Sequence, residues 1–256
     1  MPLSDLFQLD NRLALITGSS GGIGLALARG LCQAGATVVL NGRDEAKLAA
    51  ASALLQNEGY EAHARGFDVT NAAAVKAAVE DIESTIGPLD ILINNAGMQR
   101  RAPLEDFTTE HWHQLMQTNL DSVFLVGQAV AKAMIVRKAG KIINICSVQS
   151  ELGRPAIAPY MASKGAVKML TKGMASDWGP HGLQVNGLGP GYFKTELNDK
   201  LVADEKFSAW LINRTPTRRW GEVDELVGAA VFLASKASSF MNGHILYVDG
   251  GVTATL

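Results

Sequence analysis

The chain has 256 residues, 47% of them hydrophobic and 19% charged, enough apolar content for one large core. Its 23 basic and 25 acidic side chains leave a formal net charge of −2, which argues against a nucleic-acid or anionic-membrane surface. The two cysteines, Cys32 and Cys146, stand in apolar surroundings without Cys-x-x-Cys spacing and fit buried, reduced thiols.

Met1-Pro2-Leu3-Ser4-Asp5 carries neither a basic n-region nor an apolar h-region. The longest apolar stretch, Val123 to Val136, is interrupted by Gly127, Gln128 and Lys132, so no bilayer span is expected. These features predict a soluble, cytoplasmic protein.

Leu13-Ala14-Leu15-Ile16 is a short apolar run ended by glycines, as a buried parallel strand would be. Thr17-Gly18-Ser19-Ser20-Gly21-Gly22-Ile23-Gly24 follows, and then apolar residues at helical spacing, Ile23, Leu27 and Leu31. Strand, glycine-rich turn and helix in that order make an anion site: glycines allow close backbone approach, and the helix N-terminus presents free N–H groups. The spacing is Thr-Gly-x-x-x-Gly-x-Gly rather than Gly-x-Gly-x-x-Gly.

Residues 36–40 predict the second strand, closed by Asn41-Gly42-Arg43-Asp44. In a dinucleotide site an acid near this point binds the adenosine ribose, whereas an arginine accommodates a 2′-phosphate. Asn41 in place of an acid, with Arg43 close by, favours NADP over NAD. Asp44 reads as the N-cap of a helix over 45–57. The third strand spans 61–67 and exits at Asp68-Val69, where Asp68 either contacts an adenine amino group or caps the helix near 71–86.

Pro88 to Ile93 predicts the fourth strand, and the small polar run Asn94-Asn95-Ala96-Gly97 leaves room for a flat ligand. Arg100 and Arg101 could clamp a carboxylate in bidentate fashion, although adjacent residues point apart and at most one should reach it. A long helix covers 108–136. Asn119 within it is a poor helix former, either facing the site or marking a bend. His111 and His113, two apart, share no helix face, and no histidine has metal-ligand partners at motif spacing.

The fifth strand, 141–146, delivers Ser147 to the carboxyl edge of the sheet, where open α/β sheets bind their ligands. Arg154 is a further anion-binding candidate. Tyr160 and Lys164 stand one turn apart on a helix over 160–178. A cation beside a phenol is expected to lower its pKa from about 10 and suit it to proton transfer. The sixth strand is 183–188, followed by Pro190-Gly191 at the same edge. Tyr192 to Arg219 is mixed, polar and aromatic, with the make-up of a lid. A helix at 222–234 and a strand at 245–248 complete the chain. Seven apolar strands alternating with helices predict a single-domain, doubly wound α/β fold over residues 1–256.

Thr17-Gly18-x-x-x-Gly22-x-Gly24, Asn94-Asn95-Ala96-Gly97, Ser147 and Tyr160-x-x-x-Lys164 occur in that order, with Pro190-Gly191 and Val248-Asp249-Gly250-Gly251 after them. Over essentially its whole length the chain resembles the short-chain dehydrogenase/reductase family. That resemblance implies a Rossmann-type seven-stranded parallel sheet with helices on both faces, a nicotinamide cofactor and a homotetramer. It implies a catalytic tetrad of Asn119, Ser147, Tyr160 and Lys164. It implies a cofactor site of Gly18, Ser20, Gly22, Ile23, Gly24, Arg43, Asp68, Val69, Asn95, Ala96, Gly97, Tyr160, Lys164, Pro190 and Gly191.

The stretches Asn94 to Arg101, Ile143 to Arg154, Pro190 to Glu196, and Arg214 to Pro216 with Arg218 to Gly221, further resemble family members that reduce keto sugar acids with NADPH. Ser147, Gln149 and Arg101, or else Arg100 or Arg154, would then hold the substrate. Two other possibilities are a reductase of 3-oxoacyl groups on a carrier protein and a dinucleotide-binding regulator without turnover.

Overall fold

The structure is a computed structural model that describes residues 2–255. It is built on one seven-stranded sheet in the order β3-β2-β1-β4-β5-β6-β7. The strands are β1 (Leu13–Ile16), β2 (Thr37–Gly42), β3 (Ala62–Gly66), β4 (Leu89–Asn94), β5 (Gly140–Ile145), β6 (Leu183–Pro190) and β7 (Ile245–Val248). All neighbours pair in parallel. The order reverses between β1 and β4, which is where such sheets open a ligand crevice.

Alternation along each strand divides the core into two layers. Ala14 and Ile16 of β1 face Leu27 and Leu31 of α2 (Gly22–Gln33), Leu48 and Leu55 of α3 (Glu45–Asn57), and Ala230 and Leu233 of α10 (Val227–Ala234). Leu13 and Leu15 face the opposite layer. There α4 (Ala72–Thr85), α6 (Ser122–Arg137) and α7 (Ala158–Trp178) contribute Val79, Ile82, Val126, Val130, Val167 and Met174. Strand centres buried on both faces explain their unbroken apolar runs.

β2 extends two residues past its apolar stretch because Asn41 and Gly42 still pair with Arg65 and Gly66 of β3. The last helix opens as a 3₁₀ turn, Val223–Leu226, before α10. A short N-terminal helix, α1 (Leu3–Phe7), buries no residue and left no periodic signal. Asp44 caps α3, accepting from the Lys47 N–H at 3.0 Å.

α5 (Thr109–Met116), a π-helical turn (Gln117–Asp121) and α6 run unbroken from Thr109 to Arg137. Gly127, Gln128 and Lys132 therefore do not interrupt the helix, and by length and a mean hydropathy of 1.3 it could cross a bilayer. Val123, Val126, Val130 and Met134 on it are buried against the sheet and α4, whereas Phe124 and Val136 are exposed. Within residues 192–219 the chain forms α8 (Asp199–Val202) and α9 (Glu205–Arg214).

Candidate active site

The carboxyl ends of the central strands open into one cavity of about 690 Å³. At its phosphate end, Gly18 and Gly22 have φ of +62° and +54°, the left-handed region that glycine enters without strain. A Cβ on Gly24 would stand 2.5 Å from Asn95 Nδ2 and 2.6 Å from the Gly18 carbonyl, so the turn closes only around a glycine. At Gly22 a Cβ would meet nothing within 4 Å, and no side chain caps the N-terminus of α2. The turn is thus an open cradle of N–H groups at a positive helix end, which fits a pyrophosphate. Ser20, Ile23, Ala96, Gly97, Pro190 and Gly191 line the same cavity.

Arg43 lies exposed on this cavity and forms no hydrogen bond or ion pair among the described residues. A guanidinium so placed fits a 2′-phosphate. Asn41, 1% exposed, accepts from Gly18 N–H at 3.3 Å and donates to the Arg65 and Phe67 carbonyls. It rivets the strand exit to the glycine turn. Asp68 lines the cavity beside buried Val69. Its carboxylate accepts from Thr70 N–H and Oγ1, which hold its pKa below the usual range. The cap of α4 is Asn71, so the capping alternative for Asp68 is overturned.

Asn95 likewise works inside the fold. Its amide donates to the Thr17 and Gly18 carbonyls at 2.9 Å. Thr17 Oγ1 accepts from the Asn95 and Ala96 N–H groups at 3.0 Å. This tie across the β1–β4 switch point was missed in the sequence, where Thr17 read only as the first residue of the glycine-rich turn.

Ser147, Tyr160 and Lys164 meet at the cavity floor. The Lys164 Nζ is 5.9 Å from the Tyr160 ring centre and donates to the Ile145 carbonyl at 2.6 Å. Burial pushes the Tyr160 phenol up to about 12, opposed by the Ser147 hydroxyl beside it, and pushes the Lys164 ammonium down to about 8. The phenol is therefore raised rather than lowered as expected: helical spacing brings Tyr160 and Lys164 together, but loss of solvent outweighs the Ser147 hydroxyl and the Arg101 guanidinium that favour the phenolate.

Asn119 is fully buried, and the helix departs into a π turn where this poor helix former stands. Its side chain accepts from Met98 N–H at 2.7 Å and donates to the Met98 carbonyl and to Ser163 Oγ. It pins the loop after β4 to α7.

Arg101 and Arg154 both line the cavity. Burial and the facing Arg154 lower the Arg101 pKa, while Tyr192 and Tyr160 oppose that. Two guanidiniums thus share the cavity with the Tyr160 phenol. Arg100 does not join them: it donates to Gln114 Oε1 at 2.6 Å and is absent from the lining, so its candidacy is overturned. Gln149 is held between Ser147 and Tyr192. The Arg154 guanidinium lies 4.5 Å over the Phe207 ring of α9, and Tyr192 packs on Phe207 and Trp220. Tyr192 and Phe207 entered the sequence analysis only as parts of a mixed lid, because contacts between a strand exit and a distant helix leave no local pattern.

The family described as enoyl-(acyl carrier protein) reductase matches residues 18–253. The chain is 62% identical over 252 residues to gluconate 5-dehydrogenase of Gluconobacter oxydans, covering 98% of each. It is 54% identical over 250 residues to 5-keto-D-gluconate 5-reductase of Escherichia coli strain K12, again covering 98% of each. Among solved structures it is similar to a gluconate 5-dehydrogenase from Burkholderia cenocepacia in complex with NADP and tartrate. There the TM-score is 0.98 at 60% identity, covering 100% of both chains.

Proposed function

The chain belongs to the short-chain dehydrogenase/reductase family, and from that premise we propose that it interconverts D-gluconate and 5-keto-D-gluconate with NADP as hydride carrier. The observation that carries this assignment is the pair Arg101 and Arg154 at one cavity with the Tyr160 phenol. A sugar acid needs both a cationic end for its carboxylate and a proton-transfer group at the reacting hydroxyl.

NADP supplies and accepts the hydride. Gly18, Ser20, Gly22, Ile23 and Gly24 would hold its pyrophosphate and Arg43 its 2′-phosphate. Asp68 and Val69 would serve the adenine end, Asn95, Ala96, Gly97, Pro190 and Gly191 the remaining length, and Lys164 the nicotinamide ribose. In reduction Ser147 donates a hydrogen bond to the ketone oxygen as charge develops there, and Tyr160 donates its proton. In oxidation Tyr160, as phenolate, takes the hydroxyl proton. Lys164 stabilises that phenolate, and Asn119 keeps the loop after β4 in register with α7. Arg101 pairs with the substrate carboxylate, with Arg154 and Gln149 on the same side, and Tyr192 to Arg219 closes over the substrate. The unit acts as a homotetramer in the cytoplasm, in keeping with two buried free thiols, Cys32 and Cys146.

The test is NADPH consumption with 5-keto-D-gluconate, beside NADH and beside an acetoacetyl thioester. Turnover with NADPH and the keto acid is expected. Turnover with the thioester alone would replace the sugar-acid assignment by an acyl one, and turnover with NADH alone would overturn the role of Arg43.

A further inference from the structure

The Ser147 hydroxyl has one hydrogen, and here it is not aimed at a substrate. It is donated to Gln149 Oε1 at 2.6 Å, while Ser147 Oγ accepts from the Gln149 backbone N–H at 3.2 Å. The other end of the Gln149 amide, Nε2, donates to Tyr192 Oη at 3.0 Å. The same Tyr192 oxygen accepts from Arg154 Nη1 at 3.3 Å. Tyr192 Oη thus accepts twice, and its own hydrogen has no partner among the described residues. A Ser147 hydroxyl in this state cannot donate to the ketone oxygen that the proposed reduction requires it to stabilise.

The two ends of a glutamine amide have nearly the same shape and opposite hydrogen-bonding character. With the amide reversed, Nε2 donates to Ser147 Oγ, whose second lone pair is free to accept. The Ser147 hydrogen is released toward the cavity. Tyr192 then donates to Gln149 Oε1 and still accepts from Arg154, so its hydroxyl is used once each way. A guanidinium has no acceptor atom, so Arg154 can only donate. It therefore occupies a Tyr192 lone pair in both states and leaves the Tyr192 hydrogen for Gln149.

We infer that Gln149 is a positioning residue for Ser147, and that Tyr192, held by Arg154, selects the amide orientation that frees the Ser147 hydrogen for the substrate. The inference rests on the reduction proposed above. It assigns to Tyr192 a task separate from packing, because its ring contacts with Phe207 and Trp220, at centroid distances of 5.7 and 5.8 Å, do not need the hydroxyl.

A double-mutant cycle of Tyr192→Phe and Gln149→Met tests it, read as single-turnover NADPH oxidation at saturating 5-keto-D-gluconate. Phenylalanine keeps the ring and removes the selecting hydrogen; methionine keeps the length and removes both amide ends. Tyr192→Phe is expected to slow hydride transfer about fivefold when Gln149 is present, the scale of one hydrogen bond, and by under about twofold when Met stands at 149. Equal losses in both backgrounds would overturn the inference, as would no loss in the first. Wild-type turnover on the same substrate checks the substrate assignment separately.

Discussion

At the scale of single residues, the chemistry is set by which atoms lose water. Tyr160 is the acid/base of the proposed reaction, so Tyr160→Phe should lower kcat by about 10²–10⁴ while NADPH still binds, measured by turnover beside fluorescence titration. A phenol pushed up to about 12 by burial is protonated at neutral pH, as reduction requires. Oxidation needs the phenolate, whose share grows as pH rises toward that value. Its kcat/KM should therefore climb by up to about tenfold per pH unit above neutrality, while that of reduction should not climb, measured as paired pH profiles. Arg101→Ala should raise KM for gluconate far more than for a neutral polyol. Arg100→Ala should leave both nearly unchanged, since Arg100 turns toward Gln114. The pairing of Tyr160 with Lys164 was legible from spacing, because four residues are one helical turn. The sign of the pKa shift was not, because burial comes from elements far away in sequence.

At the scale of elements, the glycine turn and the π turn carry the site. Gly24 is required by backbone contact, with the Gly18 carbonyl 2.6 Å from where a Cβ would lie. Gly24→Ala should cost about 1–3 kcal/mol of stability through overpacking and also weaken NADPH binding, measured by thermal melting and titration. The strand-turn-helix unit was legible because apolar runs, glycines and helical periodicity are local signals. The tasks of Asn41, Asn95 and Thr17 were not: each bonds across strands that are adjacent in the sheet but 23 to 79 residues apart in the chain. These bonds tie the β1 exit to β2 and β4.

At the scale of the whole molecule, parallel strands bring six separate segments to one edge: the turns after β1, β2, β3 and β4, the loop after β5, and the aromatic segment after β6. A ligand that bridges them should stabilise the folded state as a unit. NADPH at 100 times its Kd should add about 2.7 kcal/mol, seen as a rise in melting temperature, and NADH at the same concentration less. Arg43→Ala should reduce the preference for NADPH over NADH by about 10–100-fold, the scale of hydrogen bonds to a charged phosphate.

The sequence by itself determined the number and type of the main elements, the glycine cradle, and the identities of Ser147, Tyr160 and Lys164. These rest on periodicity and short spacing, which are properties of neighbouring residues. Only the tertiary structure decided that Arg154 stands opposite Arg101 and that Arg100 turns away. It also decided that Asn71 rather than Asp68 caps α4, and that Tyr192 and Gln149 lie against Ser147. Those outcomes depend on which side chains meet across strand exits, and on how much water each one loses there. The directions of chain segments far apart in sequence set both, and no local pattern records them.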